Sequence, residues 1–95
     1  MKPRSMQAII NRRLYNTDTA TLLAGDDCKE SGRCQTFLYR TPKGAYFATH
    51  LAASPFERDS LEPLTLDEAL ELYWRLPERP QEFEDAFPGV ELEEA

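Results

Sequence analysis

The chain has 95 residues, a formal net charge of −6, 41% hydrophobic residues and 29% charged residues. This length allows one small domain. Leu, Ile, Val and Phe make up 20 of the 95 residues, just above the share of roughly one fifth below which a charged chain stays disordered. We therefore expect a thin core, with a stability of a few kcal/mol unless a partner or a second copy adds buried area.

No part of the sequence predicts a membrane span or a secretory signal. No apolar run approaches the roughly 20 residues of a span, and Met1–Arg4 leads into no apolar stretch of the length that a signal peptide needs. Two cysteines do not make a disulfide scaffold. These features predict a cytoplasmic protein with no membrane partner.

The charge is divided unevenly along the chain. Residues 1–50 carry eight Lys or Arg against four acids, whereas residues 51–95 carry three against thirteen. An acidic C-terminal half lying over a basic sheet explains this division. A basic surface kept for nucleic acid, or an acidic one kept for a basic protein, is the alternative. The acidic balance of the whole chain argues against nucleic acid as the ligand.

The N-terminal region begins with a short apolar run, Met6–Ile10, which Asn11 and Arg12 separate from residues 13–15. This pattern predicts a strand, a tight turn and a second strand. Asn11 tolerates the positive φ of such a turn, whereas Arg12 does not favour it.

A polar cluster follows Tyr15. The short side chains of Asn16, Thr17 and Asp18 can each bond a nearby backbone group, which predicts a structural turn. A polar contact patch beside Tyr15 is the functional alternative.

The clearest local signal is a β-hairpin over about residues 35–50. Gln35–Arg40 and Ala45–His50 are rich in aromatic and β-favouring residues. Between them, Pro42 presets a type I turn, and Gly44 can take the left-handed conformation that closes it.

Both faces of this central hairpin carry apolar bulk. Phe37 and Tyr39 point to the face opposite Leu38, and Tyr46 and Phe47 are likewise opposed. One face must pack on the domain's helix, and the other has too much aromatic area for a solvated surface. We therefore expect cover from another chain, with Phe37, Tyr39, Tyr46 and Phe47 as candidate interface residues.

A helix is predicted over about residues 66–75. Thr65 and Glu68 have the spacing of a capping box, and Pro77 stops the helix. Its apolar face is formed by residues at helical spacing. These are Leu66, Ala69, Leu70, Tyr73 and Leu76.

Residues 78–95 form an acidic, proline-containing extension beside a predicted domain at 1–77. Phe83 and Phe87 have the spacing of one amphipathic turn, and Val90–Glu93 alternates as an edge strand does. The extension can dock on its own domain, swap onto a neighbour or await a partner. Phe83, Phe87 and Trp74 complete the candidate interface, although Trp74 can also cap the core edge.

Cys28, Cys34 and His50 are the only soft ligands. The cysteine spacing is wider than a zinc knuckle's, and a further ligand is missing unless Asp26 or Asp27 supplies it. The two cysteines can instead form a disulfide, or one of them can pair with His50 as a nucleophile with its base. Free thiols and a structural histidine are the simpler interpretation. No phosphate loop, nucleophile elbow or paired-carboxylate motif occurs. We expect no enzymatic activity, no metal and no cofactor.

Three patches, at residues 15–20, 38–47 and 64–69, have a recognisable order. They resemble a group of small, uncharacterised bacterial and phage-associated proteins with the motifs Tyr-Asp-Thr-x-Thr-Ala, Leu-Tyr-x-Thr-x-x-Gly-x-aromatic-Phe and Leu-Thr-x-x-Glu-Ala. This chain departs from the pattern at Arg12, where the group has Gly, and at Asn16, where it has Asp. The resemblance implies a shared fold and turn chemistry and no activity to transfer.

Together these patterns predict an α+β fold, with a small antiparallel sheet of three to four strands packed against one C-terminal helix. The predicted function is a non-enzymatic protein-interaction or regulatory module that self-associates as a homodimer. The alternative is an acidic mimic of nucleic acid that blocks a DNA- or RNA-binding protein, because residues 51–95 hold thirteen acids. A small Cys/His metal or thiol protein is the third hypothesis.

Overall fold

A computed structural model describes residues 5–26, 35–52, 56 and 58–90. Its elements are β1 (Gln7–Ile10), β2 (Arg13–Asn16), β3 (Thr21–Asp26), β4 (Gln35–Arg40), β5 (Tyr46–Leu51), β6 (Ser60–Leu64), α1 (Leu66–Arg75) and α2 (Phe83–Ala86). The predicted α+β fold is confirmed: β3–β4–β5–β6 is a four-stranded antiparallel sheet, and β1–β2 is a separate two-stranded one.

The central hairpin, β4–β5, turns as its sequence predicts. The Gly44 N–H donates to the Thr41 carbonyl oxygen at 2.9 Å, and the Thr41 N–H donates to the Ala45 carbonyl oxygen at 2.8 Å. Gly44 has a φ of 88°, in the left-handed region that favours glycine. The hairpin therefore places alternate side chains on two apolar faces of the sheet.

Helix α1 covers one of these faces. The predicted capping box is present: the Glu68 N–H donates to Thr65 Oγ1 at 3.2 Å, and the Thr65 N–H donates to Glu68 Oε1 at 3.0 Å. The apolar stripe differs from the prediction at two positions. Leu72 is buried, while Leu66, in the first turn before the helix reaches the core, is 42% exposed.

The segment after α1 packs on the same face. Gly25 and Glu78 exchange two backbone hydrogen bonds at 2.8 and 3.1 Å, which adds a short bridge to the outer edge of β3. The Tyr73 hydroxyl donates to the Gln81 carbonyl oxygen at 2.8 Å. These bonds turn the chain back over the helix.

The predicted amphipathic turn forms as α2. The Arg40 guanidinium donates to the carbonyl oxygens of Asp85 and Ala86 at 2.8 and 3.2 Å, and Phe87 is 1% exposed. Residues 78–90 thus dock on the chain's own sheet and helix. Residues 91–95, which include most of the predicted edge strand, lie outside the described residues.

The first hairpin, β1–β2, covers the other face of the sheet. Its inner side chains Met6, Ile10 and Tyr15 pack on a second buried cluster. In the described part of the chain, neither helix has the length and apolar character that crossing a membrane requires.

Candidate interaction surface

The structure corrects the interface predicted on the central hairpin. Phe37, Tyr39 and Phe47 are each at most 3% exposed. Tyr15 of the first hairpin packs edge-on against Phe47, with ring centroids 5.5 Å apart, and Tyr39 stacks on Phe47 at 5.1 Å. The cover expected from another chain is therefore supplied by this chain.

Two more of the predicted interface residues lie on the helix-covered face. Tyr46 is half-buried and stacks on the buried Phe87, with ring centroids 5.2 Å apart. Both rings therefore pack inside the fold. Phe87 is a core residue, which corrects the prediction that it belongs to an interface, and Tyr46 has only part of its surface exposed.

Trp74 is the most exposed of the predicted aromatic residues, at 56%. It stacks on the half-buried Phe83 at 5.5 Å, and the Arg79 guanidinium carbon lies 5.7 Å from its ring centroid. This packing puts Trp74 at the edge of the helix-side core.

The polar cluster after β2 supports the backbone. The Asp18 N–H donates to Asn16 Oδ1 at 2.9 Å, and the Met6 N–H donates to Thr17 Oγ1 at 2.8 Å. Ser5 Oγ donates to Asp18 Oδ1 at 2.6 Å. These bonds fasten the start of β1 to the loop that follows β2.

Burial raises the pKa of two phenols. Desolvation, assisted by the negative charge of Asp18, raises the pKa of Tyr39 to about 12. Desolvation also raises the pKa of Tyr73, although the positive charge of Arg79 opposes it. Neither phenol is poised to act as a base near neutral pH.

His50 lies on β5 between two neighbouring strands. Its Nδ1 is 3.4 Å from Thr36 Oγ1, and its Nε2 is 3.3 Å from Glu62 Oε2. Among the described residues, no three His, Cys, Asp or Glu side chains are grouped to hold a metal ion. Cys28 and Cys34 lie outside those residues, so the hypotheses built on them stay predictions.

The turn of the first hairpin holds two residues in the left-handed region. Asn11 has a φ of 50° and Arg12 a φ of 64°, as a two-residue type I′ turn requires. Arg12 is unfavourable there, yet the register pairs Ile10 with Arg13 and Ile9 with Leu14. The turn is therefore not the source of the hairpin's stability, which comes from packing of Tyr15 and Ile10 in the second buried cluster.

An apolar pair faces outward from this hairpin. Ile9 is 76% exposed and Leu14 is 59% exposed, and the two are directly opposite each other in the register. The pair was not among the predicted interface residues, because alternation predicts two faces for a strand without showing which face is covered. Ile9 and Leu14 form a candidate contact surface.

The strand edges of the two sheets differ in how well they are protected. Glu78 bridges part of the β3 edge, and Pro63 within β6 has no N–H to offer a further strand. The β1 edge has no charged residue over Gln7–Ile10, and none of the described strands other than β2 pairs with β1. The β1 edge is therefore the least protected.

A cleft of about 600 Å³ opens beside β2, on the side away from β1. It lies between Arg12–Asn16 and the turn of the central hairpin. Arg12, Arg13 and Lys43 line this cationic cleft, and none of its described lining residues is acidic. Within the described residues, the charged side-chain groups of these three residues make no hydrogen bond or ion pair.

Comparison of the chain with protein-family models, curated proteins and solved structures gave no match. The resemblance of the three motif patches therefore stays a prediction, and the function is inferred from the surfaces described above.

Proposed function

We propose that this chain is a non-enzymatic protein-interaction module that self-associates through the β1 edge. The observation that carries this proposal is the uncharged strand edge at Gln7–Ile10, next to the exposed pair Ile9 and Leu14. An edge of this kind is a template for pairing with another chain.

The alternation of hydrogen-bonded and non-hydrogen-bonded pairs in the first hairpin supports the pairing of β1 with another chain. The Thr17 N–H donates to the Met6 carbonyl oxygen at 2.9 Å, so Met6 and Thr17 form a hydrogen-bonded pair. Alternation along the ladder makes Ile9 and Leu14 a non-hydrogen-bonded pair, whose N–H and C=O groups point away from the partner strand. The backbone groups of Ile9 are thus directed outward from β1.

A twofold axis would pair β1 of one copy with β1 of the next. This pairing extends a two-stranded sheet to four strands, and two strands alone are marginal. It brings no like charges together, because β1 is uncharged. The same pairing through β2 would bring the positive charge of Arg13 from both copies to one seam, which is unfavourable.

Light scattering of the full chain as a function of concentration tests the proposal. We expect a dimer for the native chain and a monomer for Ile9→Lys. At a protein concentration too low for dimers, the two chains should have the same unfolding midpoint, because Ile9 is exposed in the single chain. At higher concentration only the native chain should gain stability, because the dimer forms from folded chains. Ser60→Lys adds the same charge on the exposed edge strand β6 and should leave the dimer intact.

Two results would contradict self-association through β1. One is a native chain that stays monomeric at every concentration. The other is a dimer that Ser60→Lys dissociates and Ile9→Lys does not, which would assign the contact to β6.

The acidic-mimic alternative is favoured by exposed acids on both helices, namely Asp67, Glu68, Glu71, Glu84 and Asp85. It predicts binding to a cationic DNA-binding protein that weakens steeply as salt is added. Binding that does not respond to salt would count against it.

A further inference from the structure

We propose that the cationic cleft binds an extended acidic segment of a partner protein, which adds a strand to the free edge of β2. This inference rests on the proposed role as an interaction module and assigns a second surface to it. The occupant is a peptide whose acidic side chains stand at alternate positions.

The charge of the cleft favours an acidic occupant. Arg12, Arg13 and Lys43 are exposed and line one cleft, whereas the nearby Arg40 uses its guanidinium to bond the carbonyl oxygens at the C-terminal end of α2. Three cations with no described partner, in a chain of net charge −6, make a local positive site. Carboxylates are complementary to it because arginine binds them in a fork geometry.

The backbone of β2 favours an extended occupant. All four residues of β2 line the cleft, whereas no residue of β1 does. The N–H and C=O of Leu14 point away from β1, since Leu14 and Ile9 form a non-hydrogen-bonded pair. They are therefore available to an extended peptide, which binds by main-chain hydrogen bonds and gains specificity from alternate side chains.

The conformation of Arg12 also supports a binding role. With a φ of 64°, it occupies a region where glycine is favoured. The turn places this charged side chain in the lining of the cleft, and its left-handed conformation lowers the stability of the hairpin. Such outliers concentrate where a side chain has a binding role.

The cleft favours a peptide over nucleic acid. A nucleic-acid groove uses exposed aromatic rings on which bases stack, and the one described aromatic residue in this cleft, Tyr15, is 6% exposed. The exposed Leu14 side chain offers apolar contact for the other face of a peptide strand instead.

A labelled synthetic peptide of alternating Glu and Val, with blocked ends, is the probe, and fluorescence anisotropy with the full chain measures its binding. We expect binding that weakens with salt. Arg13→Gln and Lys43→Gln should each weaken it about tenfold, because each removes a charge-assisted hydrogen bond. Arg75→Gln makes the same charge change on α1, outside the cleft, and should leave the affinity unchanged.

Amide hydrogen exchange provides a second readout. The Leu14 amide should exchange more slowly when the peptide is bound. Unchanged exchange at Leu14 with a bound peptide would overturn strand addition. Equal binding of a Gln–Val peptide, or no effect of Arg13→Gln, would overturn recognition by charge.

Two further outcomes would replace the peptide by another occupant. An oligonucleotide that binds more tightly than the peptide would assign the cleft to nucleic acid. Dissociation of the dimer by Arg13→Gln would assign it to a second copy. Ile9→Lys lies outside the cleft and should keep peptide binding. A chain that does not self-associate and a cleft that does not bind the peptide are therefore separate results.

Discussion

Tyr39 shows how one buried side chain links the fold to pH. Its ring is 3% exposed between Phe47 and the first hairpin. Burial, with the nearby carboxylate of Asp18, raises its pKa to about 12 from the usual 10.0. The neutral phenol is thus the form that the folded chain stabilises.

This raised pKa predicts a loss of stability in strong base. The free energy that the neutral Tyr39 phenol contributes to folding is fully present below pH 10, because the phenol has a pKa of 10.0 in the unfolded chain. This contribution is lost as the pH rises towards about 12, the pKa in the folded chain. Urea unfolding at a series of pH values should show this fall in the native chain and a smaller fall in Tyr39→Phe. Tyr46→Phe, on the opposite face, should keep the native fall. Identical pH curves for Tyr39→Phe and the native chain would contradict this assignment.

Among the secondary-structure elements, the first hairpin combines an unfavourable turn with favourable packing. Asn11 and Arg12 both have positive φ, and only Asn11 tolerates it well. Tyr15 and Ile10, on the inner side, bury apolar surface against the central hairpin. Burial of one or two such side chains is worth a few kcal/mol, which exceeds the turn's cost of about 1–2 kcal/mol.

Arg12→Gly should therefore raise the free energy of unfolding by about 1 kcal/mol, because glycine adopts the turn conformation without strain. In a domain of this size that corresponds to a rise of about 4–8 °C in Tm. Arg13→Gly is the matched control: it lies in β2, where glycine should lower stability by roughly 0.5–1 kcal/mol. A lower Tm for Arg12→Gly would show that the Arg12 side chain stabilises the hairpin.

For the molecule as a whole, the decisive contact is the return of the C-terminal segment onto the sheet. Phe87 is 1% exposed among Tyr46, Tyr73 and Phe83. The acidic residues around it remain exposed, so the segment joins the core through its aromatic side chains and leaves its charge in solvent.

Phe87→Ala should cost about 3–5 kcal/mol in the free energy of unfolding, the range for truncating a buried phenylalanine. Phe83→Ala, at the half-buried first position of α2, should cost less. Urea denaturation of both variants measures the difference. Equal and small losses would indicate that the segment does not contribute to the core in solution.

Local chemistry made several elements predictable from the sequence. Pro42 and Gly44 specify the central hairpin, because proline fixes φ and glycine accepts the left-handed closing position. Thr65 and Glu68 specify the start of α1, and Pro77 its end. Each of these signals acts within a few residues of the chain, so tertiary context had little to change.

The candidate surfaces could not be predicted in the same way. Alternation in the central hairpin indicates two apolar faces, but Phe37, Tyr39 and Phe47 are covered by residues far away in sequence. That packing turned a predicted interface into core and left Ile9, Leu14 and the cationic cleft at the surface.

Turn and cap residues act locally, and for that reason the amino-acid sequence was enough to predict the fold class, the central hairpin and the helix. Three features depend instead on contacts between distant parts of the chain. They are the choice of the buried faces, the left-handed conformation of Arg12 and the position of the C-terminal segment. Burial depends on long-range packing, and its free energy outweighs a local preference of about 1–2 kcal/mol.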